Sequence, residues 1–444
     1  MSKKRENIVA KFAKFIPGGQ AIGQIVPEMN SPEIVQIFGQ RKIFAWGVLP
    51  GETAEIEIAK KKKNWAEGFA KNILSGASEN RVDFIDSCYL STSPWQIMSW
   101  DAELREKENL IRESFLQEKV DLDILPIATD GNQLNYRNKM EYSLYSMSVD
   151  EAREKPEFFA KFDKNDLKNG KKIFLAFHKR GSHGKIPILQ SSIEKPELFR
   201  RANEIIEKLN RENANAFDFQ SLLLRANKNG EVSGDLFENF KPRPQMKNLS
   251  DELRGRKFSY SPNGFFQINL PVYELALDEI SRNIGYDEDI IDMYSGVGSI
   301  GLSLLTEKNK VVLVETNDSA VAEARENVKL LAENIQKNVK IVHAKSEDAL
   351  GEITPNATLI VDPPRAGLDK TVAEKIREIK PKRVIYLSCN PTTQARDIAR
   401  IIGGNDEPEF CEKSNYEISF AKPFNFFPRT PHIENLVVLS LKND

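Results

Sequence analysis

An apolar run, Ile290-Ile-Asp-Met-Tyr294, breaks into the turn Gly296-Val-Gly-Ser-Ile-Gly301 and continues into a helix-compatible stretch through Leu305. A second apolar run follows and ends on Glu315, 19 residues after Gly296. Glycines at such a turn let a ligand approach the backbone where a helix begins, and a carboxylate closing the next strand can accept from ribose hydroxyls. This order predicts the first half of a doubly wound α/β sheet, with Gly296, Gly298 and Glu315 against a nucleotide-type cofactor. Taken alone, the motif also fits a plain strand-to-helix turn.

Two more apolar runs, Thr358-Leu-Ile-Val-Asp362 and Arg383-Val-Ile-Tyr-Leu-Ser388, recur with helical stretches between them, so residues 258–444 are expected to form one Rossmann-like domain. Its ligands would lie beyond the carboxyl ends of the strands. The 444 residues allow two or three domains. Residues 9–81 alternate apolar and polar positions around the turn Leu49-Pro-Gly-Glu52 and predict a small all-β module. Residues 82–257 predict a mixed α/β domain, with a helix from Trp100 to about Lys119.

Hydrophobic residues are 40% and charged residues 29%, a balance that excludes a disordered chain. No run approaches the ~18 apolar residues of a membrane span, and the N-terminus shows no export signal, so a cytoplasmic location without a membrane partner is expected. Cys88, Cys389 and Cys411 are too scattered for a disulfide framework or a CxxC metal pair, and no metal is expected. The net charge of -2 neither requires nor excludes a polyanion, since phosphate binding depends on local patches. Lys60-Lys61-Lys62-Lys63 with Trp65 is equally readable as such a patch or as a solvated strand end.

Asp362-Pro-Pro-Arg365 and Ser388-Cys-Asn-Pro-Thr-Thr393 each end a predicted strand and so open toward one crevice. Carbon 5 of a pyrimidine is a poor nucleophile until a thiolate adds at carbon 6, and Cys389 is the residue type for that addition. A lone cysteine is more often a small buried hydrophobe, the reading given to Cys88 and Cys411. The hydrogen left on carbon 5 then needs a base. Glu434, before the last strand, is a candidate, with a surface glutamate an equal alternative. His432 fits either a base or a turn constraint. Gly264-Phe-Phe-Gln-Ile-Asn269 offers Phe265 or Phe266 for stacking on a flipped base and Gln267 for cofactor or base, though paired aromatics are commonly core.

The ordered set Phe265-Phe-Gln, Asp292-Met-Tyr-Ser-Gly-Val-Gly, Asp362-Pro-Pro-Arg-Ala-Gly, Tyr386-Leu-Ser-Cys-Asn-Pro and Phe427-Pro-Arg-Thr-Pro-His-Ile-Glu resembles the uracil-5-methyltransferase family acting on transfer and ribosomal RNA. The resemblance implies that Cys389 is the nucleophile and Glu434 the proton acceptor. It further implies that Gln267, Tyr294, Ser299, Glu315 and Asp362 bind S-adenosylmethionine, Ser299 standing where asparagine is common. Residues 9–81 resemble a TRAM domain, an OB-like RNA-binding barrel. Tyr136-Arg137-Asn-Lys139 and His178-Lys-Arg-Gly-Ser-His183 are similar to basic stretches of an RNA-facing central domain; with Arg365 and the two phenylalanines they are the expected substrate contacts. The helix from Trp100 is expected to pack on the catalytic domain.

Many relatives hold an iron–sulfur cluster on four cysteines. Ser91-Thr-Ser-Pro-Trp-Gln96 and Lys185-Ile-Pro-Ile-Leu-Gln190 lack cysteines where three and one would stand, so a cluster-free member is expected. Asn425 stands where an aspartate is common. The expected partner is structured RNA, ribosomal or transfer, not DNA, bound by a monomer. A cytosine-5 RNA methyltransferase would carry a second cysteine beside Asp362-Pro-Pro-Arg365, and a non-catalytic RNA-binding protein would have no use for Cys389 with Glu434.

Overall fold

The computed structural model describes residues 6–242, 244–403 and 415–442; Cys411 lies outside them. Near the N-terminus, strands Asn7–Phe15, Ala21–Ile25, Lys42–Trp46, Trp65–Ser75 and Thr53–Lys61 close in that order into a barrel. Alternate residues such as Ile8, Ala10 and Phe12, and Ala54, Ile56 and Ile58, fill its interior. The Leu49-Pro-Gly-Glu52 turn is more than a loop. Glu52 is buried and accepts from Leu49 N (2.7 Å) and Ser78 N (3.1 Å), and Arg81 donates to both of its oxygens at 2.6 Å. The turn therefore fixes where the chain leaves the barrel.

A five-stranded sheet follows, in the order Val232–Glu238, Phe219–Ala226, Lys139–Ser148, Lys171–His178, Lys185–Pro187. Helix Pro196–Arg211 covers it with Leu198, Ala202, Ile206 and Leu209, a spacing that lines one helical face. The hairpin after His178 touches the barrel through Arg180, while His178, Lys179, Ser182 and His183 stay exposed. Arg180 stacks over Trp46 at 4.2 Å and donates to the Leu90 carbonyl. In the segment before Trp100, the Asp86 carboxylate takes Gln96 Nε2 (2.9 Å) and Ser192 Oγ (2.6 Å), while Gln96 Oε1 takes the amides of Ile85 and Asp86. Cys88 packs beside Met140 and Tyr142, and burial pushes its thiol up to about 12.

The hairpin of Leu249–Leu253 and Arg256–Tyr260 spans the junction read from the sequence. Its Leu249, Leu253, Phe258 and Tyr260 pack with helix Leu270–Arg282 in the core of the last domain. That domain is a seven-stranded sheet ordered Val339–His343, Val311–Glu315, Ile290–Met293, Thr358–Val361, Arg383–Ser388, Glu434–Leu441, Tyr416–Phe424. The first five strands run parallel, and Glu434–Leu441 runs antiparallel to both of its neighbours and so against the other six. Strand order reverses between Ile290–Met293 and Thr358–Val361, which opens a crevice at their carboxyl ends.

Helix Trp100–Gln117 joins the units. Ala102 and Leu110 enter the barrel-side core, and Ile111 and Phe115 enter the core of the seven-stranded sheet. Lys107 and Glu103, one turn apart, are both fully buried and paired at 2.9 Å. Lys107 also donates to Asn425 Oδ1 (2.6 Å) and the Phe427 carbonyl (3.0 Å), and Glu103 accepts from Arg429 N at 3.0 and 3.1 Å. Asn425 carries no charge, so Glu103 is the carboxylate that neutralises Lys107. Arg429 sits at φ +63°, a strained backbone for a side-chain-bearing residue, and these bonds hold it there. Glu103→Ala should therefore cost about 3–5 kcal/mol of stability, because it strands a buried ammonium. Denaturant unfolding would measure it, and a loss below 1 kcal/mol would contradict this account.

Candidate active site

The crevice gathers the strand-end residues because strand length and register leave them no alternative. Ser388 pairs with Asn435 across antiparallel strands, so the next residues outward, Cys389 and Glu434, face one another. Asn390 caps helix Pro391–Ile402 through Thr392 N (3.2 Å) and donates to the Arg365 carbonyl (2.9 Å), which also accepts from Thr393 Oγ1 (3.2 Å). The residues after Cys389 thereby tie the Asp362-Pro-Pro-Arg365 turn beside the thiol. Asp397 reinforces this, its buried carboxylate accepting from Leu368 N (2.7 Å) and Tyr386 OH (2.9 Å).

The electrostatics are dominated by acids taken out of water. Burial, then the charge of Asp362, raises Glu434 well above the usual carboxylate range, with Arg365 opposing. Burial pushes Asp362 up to about 7. The Cys389 thiol rises to about 11, first through burial, then through Glu434 and Asp362, and Arg365 again opposes. Arg365 Nη2 donates to His432 Nδ1 at 2.8 Å. Burial, and then Arg365 itself, holds His432 down to about 4, so the imidazole stays neutral and acts as an acceptor that orients the guanidinium.

At the glycine turn, Tyr294 (φ +64°), Gly296 (φ +56°) and Gly298 (φ +83°) all adopt left-handed backbone. A Cβ on Gly296 would meet nothing within 4 Å, so this glycine leaves open space over the turn. Glu315 Oε2 accepts from Gly296 N (2.9 Å), while Oε1 accepts from Thr316 N and Asn317 N (2.8 and 2.7 Å). Ser299 Oγ bonds Tyr273 OH at 2.8 Å. Asp292, which opens one of the family-like motifs with no role implied for it there, is fully buried in its strand. Its Oδ2 accepts from Gly301 N (2.8 Å), its Oδ1 has no partner, and its carboxyl is pushed up to about 7 by burial, then by Asp362 and Glu315. The available signal was a carboxylate inside the otherwise apolar run Ile290-Ile-Asp-Met293.

Before helix Leu270–Arg282, Phe265 is 75% exposed, whereas Phe266 is 3% exposed and stacks on Tyr260 at 4.1 Å. Phe266 is thus a core residue, and the expectation that it might stack on a base is corrected. Gln267 is buried beside it. Tyr136 is likewise corrected as an RNA contact. It is 6% exposed, and its hydroxyl donates to the Pro428 carbonyl at 3.1 Å. Arg137 donates to the Lys139 carbonyl (3.1 Å), and Lys139 donates to the carbonyls of Asn263 (3.1 Å) and Gly264 (3.0 Å). The crevice therefore unites Cys389, Glu434, Asp362, Arg365, Tyr294, Gly296, Gly298, Ser299 and Glu315; Tyr136 and Lys139 serve contacts between domains, and Arg137 bonds within the central one.

Residues 245–442 match the model of the tRNA (uracil-5-)-methyltransferase family. An uncharacterized RNA methyltransferase of Listeria innocua is 29% identical, with 90% of this chain and 93% of the relative covered. Another, from Fusobacterium nucleatum, is 26% identical over 100% of this chain and 97% of its own. The solved Pyrococcus abyssi tRNA (uracil-54, C5)-methyltransferase with S-adenosyl-L-homocysteine has a TM-score of 0.66 at 20% identity and covers 98% of this chain and 100% of its own. Its likeness extends the agreement in fold to the barrel and central sheet, outside the matched segment. The matched segment contains every strand of the seven-stranded sheet and the whole crevice, and relatives named RNA methyltransferases align across all three units, so residues 245–442 carry the likeness to the tRNA (uracil-5-)-methyltransferase family.

Proposed function

We propose that this protein methylates carbon 5 of a uridine in structured RNA, transfer or ribosomal, with Cys389 as covalent nucleophile and Glu434 as base. The observation that carries this reading is the Ser388–Asn435 register, which brings Cys389 and Glu434 out together at the strand ends, where the Glu434 charge acts on the thiol, with Arg365 tied beside them. S-Adenosylmethionine fits the neighbouring turn. The backbone leaves open space at Gly296, Asp292 Oδ1 is a buried acceptor without a partner, and Glu315 stands at the next strand end, where ribose hydroxyls are usually held. When bound, it supplies an electrophilic methyl group.

The chain's residues supply the rest. Arg365, held by His432, favours the thiolate of Cys389. The sulfur adds to carbon 6, and the electron pair of the ring double bond moves toward carbon 5 and the adjacent carbonyl. After carbon 5 is methylated, Glu434 removes its remaining proton. The electrons re-form the double bond as the carbon–sulfur bond breaks, which returns Cys389 as thiolate. Burial raises the basicity of Glu434, which suits it to this proton. Phe265 is the aromatic surface available to the flipped base.

Both the Cys389 thiol and the Glu434 carboxyl must lose protons for this sequence, and both sit above their ordinary values. The single-turnover rate should therefore rise with pH between 6 and 9, by about tenfold per unit while one deprotonation is limiting. A flat profile would contradict it. Nucleoside mass spectrometry on transfer and ribosomal RNA, from cells with and without the gene, tests the function itself. Loss of 5-methyluridine from one fraction supports it and names the substrate; unchanged 5-methyluridine in both refutes it.

A further inference from the structure

Three residues of the central sheet hold the segment that carries Phe265 and Gln267. Arg225, whose guanidinium is fully buried, donates to the carbonyls of Gly264 (3.2 Å), Phe266 (2.5 Å) and Gln267 (3.1 Å). Lys139 takes the carbonyls of Asn263 and Gly264, as described. Asn138 donates from its amide to the Ile268 carbonyl (3.0 Å) and from Nδ2 to the Gln267 carbonyl (3.1 Å). Five of the six carbonyls from Asn263 to Ile268 are thus bound by one neighbouring domain.

The cost of this arrangement marks it as more than packing. A buried guanidinium is expensive, and here burial lowers the Arg225 pKa to about 10. The cation lies 4.7 Å from the Tyr260 ring and 5.6 Å from the Phe266 ring, and its Nε finds no partner. An apolar side chain would cement two domains at lower cost. What a planar, multi-donor cation adds is direction: it draws carbonyls toward itself and fixes the backbone dihedrals that aim the intervening side chains. With the backbone so held and Phe266 stacked inward on Tyr260, Phe265 projects to solvent.

We propose that Arg225, supported by Lys139 and Asn138, is a positioning residue that sets the pose of Phe265 and Gln267 toward the target base, so that the central domain tunes the rate of methyl transfer through this clamp. The proposal rests on the functional reading above. It also assigns Lys139, a cation that sequence suggests for RNA phosphates, to protein carbonyls.

The test uses the full-length protein, Arg225→Lys and Lys139→Met, with bulk transfer and ribosomal RNA from a strain lacking the gene and labelled S-adenosylmethionine. Arg225→Lys keeps the charge and loses the fork. Single-turnover methylation should fall by about 10²-fold in Arg225→Lys and about tenfold in Lys139→Met, with RNA affinity and cofactor affinity each within about twofold of the parent. Amide hydrogen exchange over residues 262–270 should quicken in both. A weaker RNA affinity with an unchanged rate would make these residues RNA contacts and overturn the proposal, as would parental rates with parental exchange. If Arg225→Lys fails to fold, Lys139→Met decides by the same readouts. If the parent protein methylates no RNA, the functional reading fails, and exchange over 262–270 still tests the clamp.

Discussion

Cys389→Ala is expected to reduce methyl transfer by more than about 10⁴-fold while leaving the fold and cofactor affinity intact. Removing the sulfur leaves carbon 5 without the electron density that makes it nucleophilic, and no other described residue of the crevice offers a thiol. The side chain is only half-buried, so truncating it to Ala opens little space in the core. The decisive measurement is a denaturing gel of protein mixed with RNA containing 5-fluorouridine, which blocks the final proton loss. The parent should form a stable protein–RNA adduct and Cys389→Ala none. Activity within tenfold of the parent would end the covalent mechanism.

Glu434→Gln should give the opposite signature. Addition and methylation do not need the carboxylate, but proton removal does, so a methylated adduct on Cys389 should accumulate with ordinary uridine-containing RNA while turnover falls by about 10³-fold. The substitution also removes an acid that raises the neighbouring thiol, so adduct formation should begin at lower pH than in the parent. Mass spectrometry of the trapped peptide would show Cys389 carrying a nucleotide one methyl group heavier than uridine. Turnover without an adduct would assign the base elsewhere.

These predictions rest on residues that could be read from the sequence because the chemistry sits at strand ends. In a parallel sheet, a polar motif directly after an apolar run has one place to go, so Asp362, Cys389 and the turn at Gly296 were visible as neighbours before any coordinates. Partners remote in sequence were not. Phe265 and Phe266 are adjacent and alike, and only Tyr260, which takes one ring as a stacking partner, distinguishes them. Tyr136, Lys139 and Arg225 have the composition of RNA contacts, yet they bind carbonyls 39 to 292 residues away. Burial of Asp292 and Lys107 is likewise a property of the assembled cores.

The pairing of Lys107 with Asn425 across 318 positions also has a consequence for synthesis on the ribosome. At roughly 5–20 residues per second, helix Trp100–Gln117 waits about 16–64 s for the strand that completes its burial. During that interval Ile111 and Phe115 lack the catalytic sheet, and the ammonium of Lys107 lacks two of its three acceptors. Nascent chains therefore carry an exposed amphipathic helix until Asn425 and Phe427 have emerged, which makes chaperone capture the natural companion of their translation and messages truncated before that point a source of aggregation.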